Sequence, residues 1–468
     1  FMDNKSRLAN NTITYAIGNF GTKILSYIMV LVYSYFITPD DLGYYDVVLT
    51  TISMIQPLII FQINDGVFRF LIDSSKDNQG KIISGSIKFL CLITIFSEVI
   101  YAFFCSFNSI EYAIWIGFLL IGTMFYVIFQ DIIRGLGKNK EYAFYGILNS
   151  FVMLLCEIVG LVILKLGVQS LIISKVIAYI VCIILMIFRT PEILQSIKIK
   201  TSFSQFKPII KYSAPLVPNT ICWWVVNSSD RYIILFFLGT TYNGIYSMAN
   251  KFPTILTTIT SIFYLAWQEA AIKEYKSPDR DNFFSDIFKK YYVLLFTLCL
   301  CAIPATRILI EVFVSEAYKM AWEYTGFLYL GAVFSALCSF LGMGYQISKE
   351  THRSILTTIF AAIINIIINI GSIKMIGLQA ASFSTFVAYL FLMIIRVGHS
   401  KKYFKLKINW TEFIILFIGV ILCMFITYII SNIWICLILE FFMIIIGVKF
   451  NYQLIKPYIS RICHFNKN

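Results

Sequence analysis

The residues with chemistry to offer are charged and amide side chains that stand inside long apolar runs. Asp65 and Arg69 are four apart, Asp230 and Arg231 are adjacent, and Lys23 and Lys251 each interrupt an apolar stretch. A charge at the centre of a membrane helix costs about 2.5–3.5 kcal/mol, while each Leu or Ile returns only about 0.3–0.6 kcal/mol. Such residues therefore need shelter from lipid. The spacing supplies a direction for it. Asn250, Thr254, Thr257, Ser261, Tyr264 and Gln268 recur at intervals of three and four, which is one face of a helix. Asn219, Trp223, Asn227, Asp230 and Arg231 form a second stripe. Tyr15, Asn19, Lys23 and Ser26 form a third, and Thr50, Ser53, Gln56, Asp65 and Arg69 a fourth.

Two chemistries are open to these stripes. Hydroxyls and amides can hold helices together or face water. Cations lining a water-filled cavity would bind an anion, with Lys and Arg taking phosphate by charge and fork geometry. Asp65 and Asp230 would neutralise the neighbouring arginines or touch substrate. Trp223 and the amides Asn19, Asn227 and Gln268 suit a sugar, which has an apolar face and a hydroxyl rim. Metal and cofactor chemistry is not expected. The eleven Cys fall mostly in apolar runs without ligand spacing, and the three His lie in polar loops or the tail. There is no Gly-rich phosphate loop followed by Lys-Ser/Thr, so ATP hydrolysis is not expected.

Membrane helices must position these residues. Of the 468 residues, 59% are hydrophobic and 13% charged, and the mean hydropathy is +0.79. A soluble domain carries about 25% charged residues, so a soluble enzyme, a nucleic-acid-binding protein and a disordered chain are excluded. About 20 apolar residues cross a bilayer as a helix. Fourteen runs meet that length: 12–37, 45–70, 87–107, 112–133, 143–165, 170–188, 212–238, 246–271, 290–313, 322–346, 355–374, 379–397, 410–430 and 433–453. The first reads as a span, not a cleaved signal.

The net charge of +13 is mostly topological. With the N-terminus in the cytoplasm, 28 of the 38 Lys and Arg fall in or beside the inner loops and tails. Only Lys165, Lys319 and Lys374 fall outside, and seven lie within spans. The positive-inside rule then places both termini in the cytoplasm.

An internal repeat organises the spans. Gly167-Val168-Gln169 matches Gly377-Leu378-Gln379, Ser174 matches Ser384, and Ala178-Tyr179 matches Ala388-Tyr389, all at an offset of 210. Six spans per repeat give both halves the same orientation, an architecture suited to two lobes rocking about a central cavity. The expected fold is an all-α polytopic membrane protein. Its N-terminal lobe would be residues 1–195 (helices 1–6) and its C-terminal lobe 196–400 (helices 7–12). Helices 13–14 and a cytoplasmic tail would occupy 401–468. The stripes lie on the first two helices of each repeat, so they are expected to meet at one cationic cavity. Pro57, Pro253 and Pro304 are expected to kink spans 2, 8 and 9.

Several segments resemble the polysaccharide flippases of the Wzx type, in the superfamily that also holds multidrug exporters and the lipid II flippase. They are Asp230-Arg231-Tyr232-Ile233-Ile234 with Gly239 and Gly244-Ile245-Tyr246-Ser247-Met248-Ala249-Asn250-Lys251; Thr38-Pro39-Asp40-Asp41-Leu42-Gly43-Tyr44-Tyr45-Asp46; Asp65-Gly66-Val67-Phe68-Arg69-Phe70; and Trp267-Gln268-Glu269-Ala270. The resemblance implies a transporter, not an enzyme, in the bacterial cytoplasmic (inner) membrane. It would flip an undecaprenyl-diphosphate-linked oligosaccharide to the outer leaflet, coupled to a proton or sodium gradient, with Asp65, Asp230, Glu98, Asp131 and Glu157 as candidate carriers. A glycan polymerase of the same pathway is an implied partner. By this reading Lys23, Arg69, Arg231, Lys251, Asn19, Trp223, Asn227 and Gln268 bind substrate. A multidrug exporter is the nearest alternative. A membrane polymerase or glycosyltransferase is disfavoured, because every expected outer loop is too short to carry a catalytic site.

Overall fold

The structure is a computed structural model and describes residues 28–72, 74–348, 350–430, 432–452 and 456. Within these residues the chain is helical and forms no strand. It divides into two compact units, Phe1–Tyr232 and Ile233–Asn468.

Unit 1 begins with a broken helix. Thr38 caps α1 (Pro39–Ile59) by accepting the Asp41 amide at 3.2 Å, Pro39 starts the first turn, and Asp40 and Asp41 face the positive helix end. Pro57 stands in its last turn. Phe61 and Gln62 then adopt left-handed φ values of 51° and 52°, and α2 (Ile63–Ile72) leaves at a bend of 56°. Two successive left-handed residues with side chains are strained backbone. The unit continues through α3 (Lys76–Phe107), α4 (Ala113–Gly135) and α5 (Asn139–Ile158), which runs into a π turn at Val159–Ile163. It ends with α6 (Val168–Arg189), α7 (Pro191–Ile197), α8 (Phe203–Ser213) and α9 (Val217–Ser228). The unit boundary falls inside α10 (Asp230–Phe237).

Unit 2 holds α11 (Thr240–Lys251), α12 (Pro253–Glu274), α13 (Arg280–Phe313), a 3-10 stretch at Glu316–Tyr324, α14 (Thr325–Ile347), α15 (Thr351–Ile376), α16 (Gln379–Ser400), α17 (Trp410–Ile429) and α18 (Ile433–Phe450). Its core is aromatic. Trp267 stacks on Phe340 at 4.0 Å and Phe263 on Tyr291 at 3.9 Å, and Phe296 and Phe334 both meet Phe413.

Eleven helices of the described residues are long and apolar enough to cross a membrane, and a twelfth crossing is made if the bent pair α1–α2 counts as one. The chain is a multi-pass membrane protein. The fourteen expected spans differ from this number in two places. Span 1, 12–37, lies mostly outside the described residues. Span 7, 212–238, is divided among α8, a 3-10 turn at Ala214–Leu216, α9 and α10. Pro215 and Pro218 lack the amide protons a continuous helix would use, and a turn at Ser229 parts α9 from α10. Of the three expected kinks, Pro57 lies beside the α1–α2 break and Pro253 starts α12 after a break from α11. Pro304 stands within the continuous α13.

The repeat has a conformational signature. Gly167 has φ 58° and ψ −140°, and Gly377, 210 residues on, has φ 57° and ψ −137°. A side chain is disfavoured there, which explains why both repeats carry glycine before their sixth helix.

Candidate functional site

Unit 1 joins its charges where α1 meets α9 and the start of α10. The α1 cap fixes the helix start, so Asp46, Thr50, Thr51 and Ser53 project about two to four turns in. Arg231 Nε lies 3.4 Å from Asp46 Oδ2, and Arg231 Nη1 lies 4.0 Å from Asp230 Oδ2. Arg231 Nη1 also donates to the Asn227 carbonyl at 2.6 Å. The side chains of Arg231, Asp46 and Asp230 are 13%, 14% and 2% exposed. Among the described residues Arg231 thus faces both carboxylates, largely shielded from solvent, where charge interactions are strong.

The same seam carries an aromatic wall. The Trp224 indole donates to the Thr50 carbonyl at 3.2 Å and to Ser53 Oγ at 3.1 Å. Tyr232 OH shares a hydrogen bond with Thr51 Oγ1 at 2.5 Å, and its ring packs on Trp224 at 5.8 Å. Asn227 returns its amide to the Trp223 carbonyl at 2.9 Å and is exposed, whereas Trp223 is half-buried.

A second polar cluster ties α2 to α4. Gln62 donates to Asp65 at 3.0 Å, and Asn64 donates to both Asp65, at 3.5 Å, and Asp131, at 3.2 Å. Arg134 lies 4.0 Å from Asp131 and packs over Phe68 at 4.1 Å. The bend at Phe61 and Gln62 presents this cluster. Asp65 and Arg69 are exposed along α2.

In unit 2 the long stripe runs across α11 and α12. Thr257 and Ser261 donate to the Thr254 and Thr258 carbonyls of their own helix, so these bonds do not bridge helices, whereas Thr254 donates across the break to the Lys251 carbonyl that ends α11. Thr257 and Ser261 are exposed. Gln268 reaches α14, donating to Gln346 at 3.1 Å, and Gln346 donates to Tyr264 at 2.8 Å. Lys251 ends α11, half-buried.

The structure therefore brings together Asp230, Arg231, Asn227 and Trp223 in one region of unit 1, and Asp65 with Asp131 in another. Lys251 and Gln268 lie in unit 2, and Asn19 and Lys23 lie outside the described residues. Sequence reasoning did not select Asp46, Trp224 and Tyr232. Asp46 stands at the end of the Thr38–Asp46 segment and Tyr232 follows Arg231, so the quoted segments already contained both.

A family model described as "Polysaccharide biosynthesis protein" matches residues 32–264. None of the curated proteins compared matches the chain. Among solved structures, the chain is similar to "Lipid II flippase MurJ, inward closed conformation", with 17% identity, a TM-score of 0.71, and 96% of this chain and 100% of that chain covered. It is also similar to an inward-facing "multidrug resistance MATE family transporter of the MOP superfamily", with 13% identity, a TM-score of 0.66, and coverage of 83% and 98%. An outward-facing structure of a transporter with that description gives 13% identity, a TM-score of 0.59, and coverage of 85% and 95%. At these identities the likeness establishes the fold, which this chain shares with a lipid flippase and with multidrug transporters.

Proposed function

We propose that the chain is a flippase, and so a transporter with no covalent chemistry of its own. Its cargo is an undecaprenyl-diphosphate-linked oligosaccharide, moved from the cytoplasmic to the outer leaflet of the bacterial cytoplasmic membrane. Residues 1–195 and 196–400 act as two lobes, and 401–468 supplies two further helices and a cytoplasmic tail. Both termini lie in the cytoplasm, and fourteen helices cross the membrane. The headgroup enters a cavity between the lobes while the polyprenyl tail stays in lipid, and an alternating movement coupled to a proton or sodium gradient exposes it on the other side.

One observation carries this reading. The stretch matched by the polysaccharide-biosynthesis model, 32–264, contains both sides of the buried Asp46–Arg231–Asp230 seam. Arg231 can exchange a carboxylate for a phosphate oxygen, because both accept its guanidinium fork. Substrate diphosphate would compete with Asp46 for Arg231, and Trp223 and Asn227 would meet the first sugar. Arg69, Lys23 and Lys251 add positive charge, Asn19 and Gln268 add amides, and Asp65 and Asp230 are the candidates for ion coupling. Deleting the gene and analysing lipid-linked glycans tests the reading. Accumulation of the lipid-linked oligosaccharide on the inner leaflet supports it. The fold shared with multidrug transporters favours one alternative, and drug sensitivity with normal surface glycan would establish that alternative instead.

A further inference from the structure

A cavity of about 540 Å³ opens in unit 2 between α15 and α16, at the end where α15 starts and α16 finishes. Its lining changes character with depth. His352 and Arg353 on the first turn of α15, with His399 near the end of α16, form its polar end. One to two turns further along the helices from that end the lining is Leu356, Phe360 and Ile395, and Leu356 and Phe360 are 53% and 58% exposed. A basic end at the interface above an exposed apolar wall matches the two halves of an anionic lipid.

The charge around the polar end is asymmetric. Glu350 pairs with Arg353 at 2.7 Å and also with Lys402 and the Tyr403 hydroxyl, so it is already shared. Beneath the cavity, Arg396 is 2% exposed. It donates to the Cys338 carbonyl at 2.8 Å and to the hydroxyls of Ser354, Thr357 and Thr358. Thr357 lines the cavity, so a guanidinium with neutral partners stands one hydroxyl behind its wall. Arg353, Lys402 and Arg396 thus outnumber Glu350 by three charges to one. His399 Nδ1 and Tyr345 OH share a hydrogen bond at 2.8 Å, which fixes the ring and leaves Nε2 for another partner.

We propose that this cavity binds an anionic glycerophospholipid. Its phosphate sits against Arg353, His352 and His399, and an acyl chain lies along Leu356, Phe360 and Ile395. The site lies wholly within unit 2 and does not rest on the transport reading. It would fix the edge of this unit in the membrane whatever the cargo.

The test uses the purified full chain in nanodiscs of phosphatidylcholine with a minor fraction of phosphatidylglycerol. Native mass spectrometry counts the lipids each chain retains. Phosphatidylglycerol should be enriched over its bulk fraction, and a surface cation contributes about fivefold in affinity at a membrane interface. Arg353→Gln combined with His399→Gln should lose that enrichment, and Arg353→Lys should keep most of it. Phe360→Asn should weaken retention with the cations intact. Lys319→Gln, at the other end of the unit, should leave it unchanged. The wild-type comparison of the two lipids needs no variant, so a misfolded mutant cannot mask the result. Equal retention of both lipids by the wild-type chain would overturn the proposal. So would release of phosphatidylglycerol by inorganic phosphate alone, which would mark a free-phosphate site.

Discussion

In unit 1, Arg231 meets two carboxylates across a break between helices. In unit 2, Arg396 meets a carbonyl and three hydroxyls inside one helix cluster. The first arrangement can be exchanged, since an incoming anion offers Arg231 what Asp46 already gives it. The second is fixed, since no described acid contacts Arg396 and the hydroxyls belong to its packing partner α15. The cores differ in the same sense. Of the twelve largest fully buried side chains among the described residues, only Tyr145 belongs to unit 1. Unit 1 instead holds the strained bend at Phe61 and Gln62, the π turn after α5 and the breaks of span 7 at Ala214–Leu216 and Ser229. Breaks of this kind in membrane helices are tolerated where protein or a cavity shelters the freed backbone. The contrast sets an ion cluster in unit 1, to which both repeats contribute residues, against an aromatic packed core in unit 2.

The comparison breaks most visibly at Arg231. Arg231→Ala should abolish surface glycan with protein abundance in the membrane unchanged, as read by glycan staining and immunoblotting. Equal abundance with normal glycan would place the responsive site elsewhere. Arg307→Ala in unit 2 should act on stability. Arg307 pairs with Glu311 at 2.7 Å, lies 4.3 Å over the Trp322 ring and donates to the Thr427 and Ile430 carbonyls at the end of α17. Removing it strands those acceptors and should cost about 3–5 kcal/mol, seen as a lower thermal midpoint in detergent.

Close packing gives a smaller contrast. A methyl at Gly66 would stand 2.1 Å from Ser213 Oγ, 2.9 Å from Ile209 Cγ2 and 3.2 Å from the Ile209 carbonyl. Gly66→Ala should therefore cost about 1–3 kcal/mol by pushing α2 from α8. At Gly326 the obstacle is the Met424 thioether, which can swing aside, so Gly326→Ala should cost under about 1 kcal/mol.

The smallest effect concerns a charge swap between the units. In unit 1, Lys138 holds Glu192 at 2.8 Å; in unit 2, Glu350 holds Lys402, and Glu192 and Lys402 are 210 residues apart. Burial pushes the Glu192 carboxyl up, but the Lys138 hydrogen bond and charge outweigh it and hold the group below its usual 4.5. A lowered carboxyl stabilises the fold above the unfolded value and loses that contribution as pH falls through the folded value. Lys138→Gln should thus cost under about 1 kcal/mol at neutral pH. The gap from wild type should close on acidification below 4.5. A gap that persists in acid would contradict the pairing.

Periodicity made much of this visible in advance. The apolar runs marked the helices, Pro57 and Pro253 lie at observed breaks, and Gly167 and Gly377 marked equivalent turns. The left-handed pair Phe61 and Gln62 and the turn at Ser229 were not legible, because neither carries a glycine or proline signal. In the seam, spacing grouped Asn227, Asp230 and Arg231 on one face. It could not reveal that Asp46, far away in sequence, completes the site, since partners on separate helices leave no local pattern. Nor could it tell that Thr257 and Ser261 satisfy themselves within their own helix.

The most direct test of the central claim is translocation of a labelled undecaprenyl-diphosphate-linked oligosaccharide in proteoliposomes, followed as loss of label accessible from one side. Transfer is expected for the wild-type chain, and transfer no faster than in protein-free vesicles for Arg231→Ala. Wild-type vesicles that behave like protein-free ones, or an Arg231→Ala chain that flips at the wild-type rate, would contradict it.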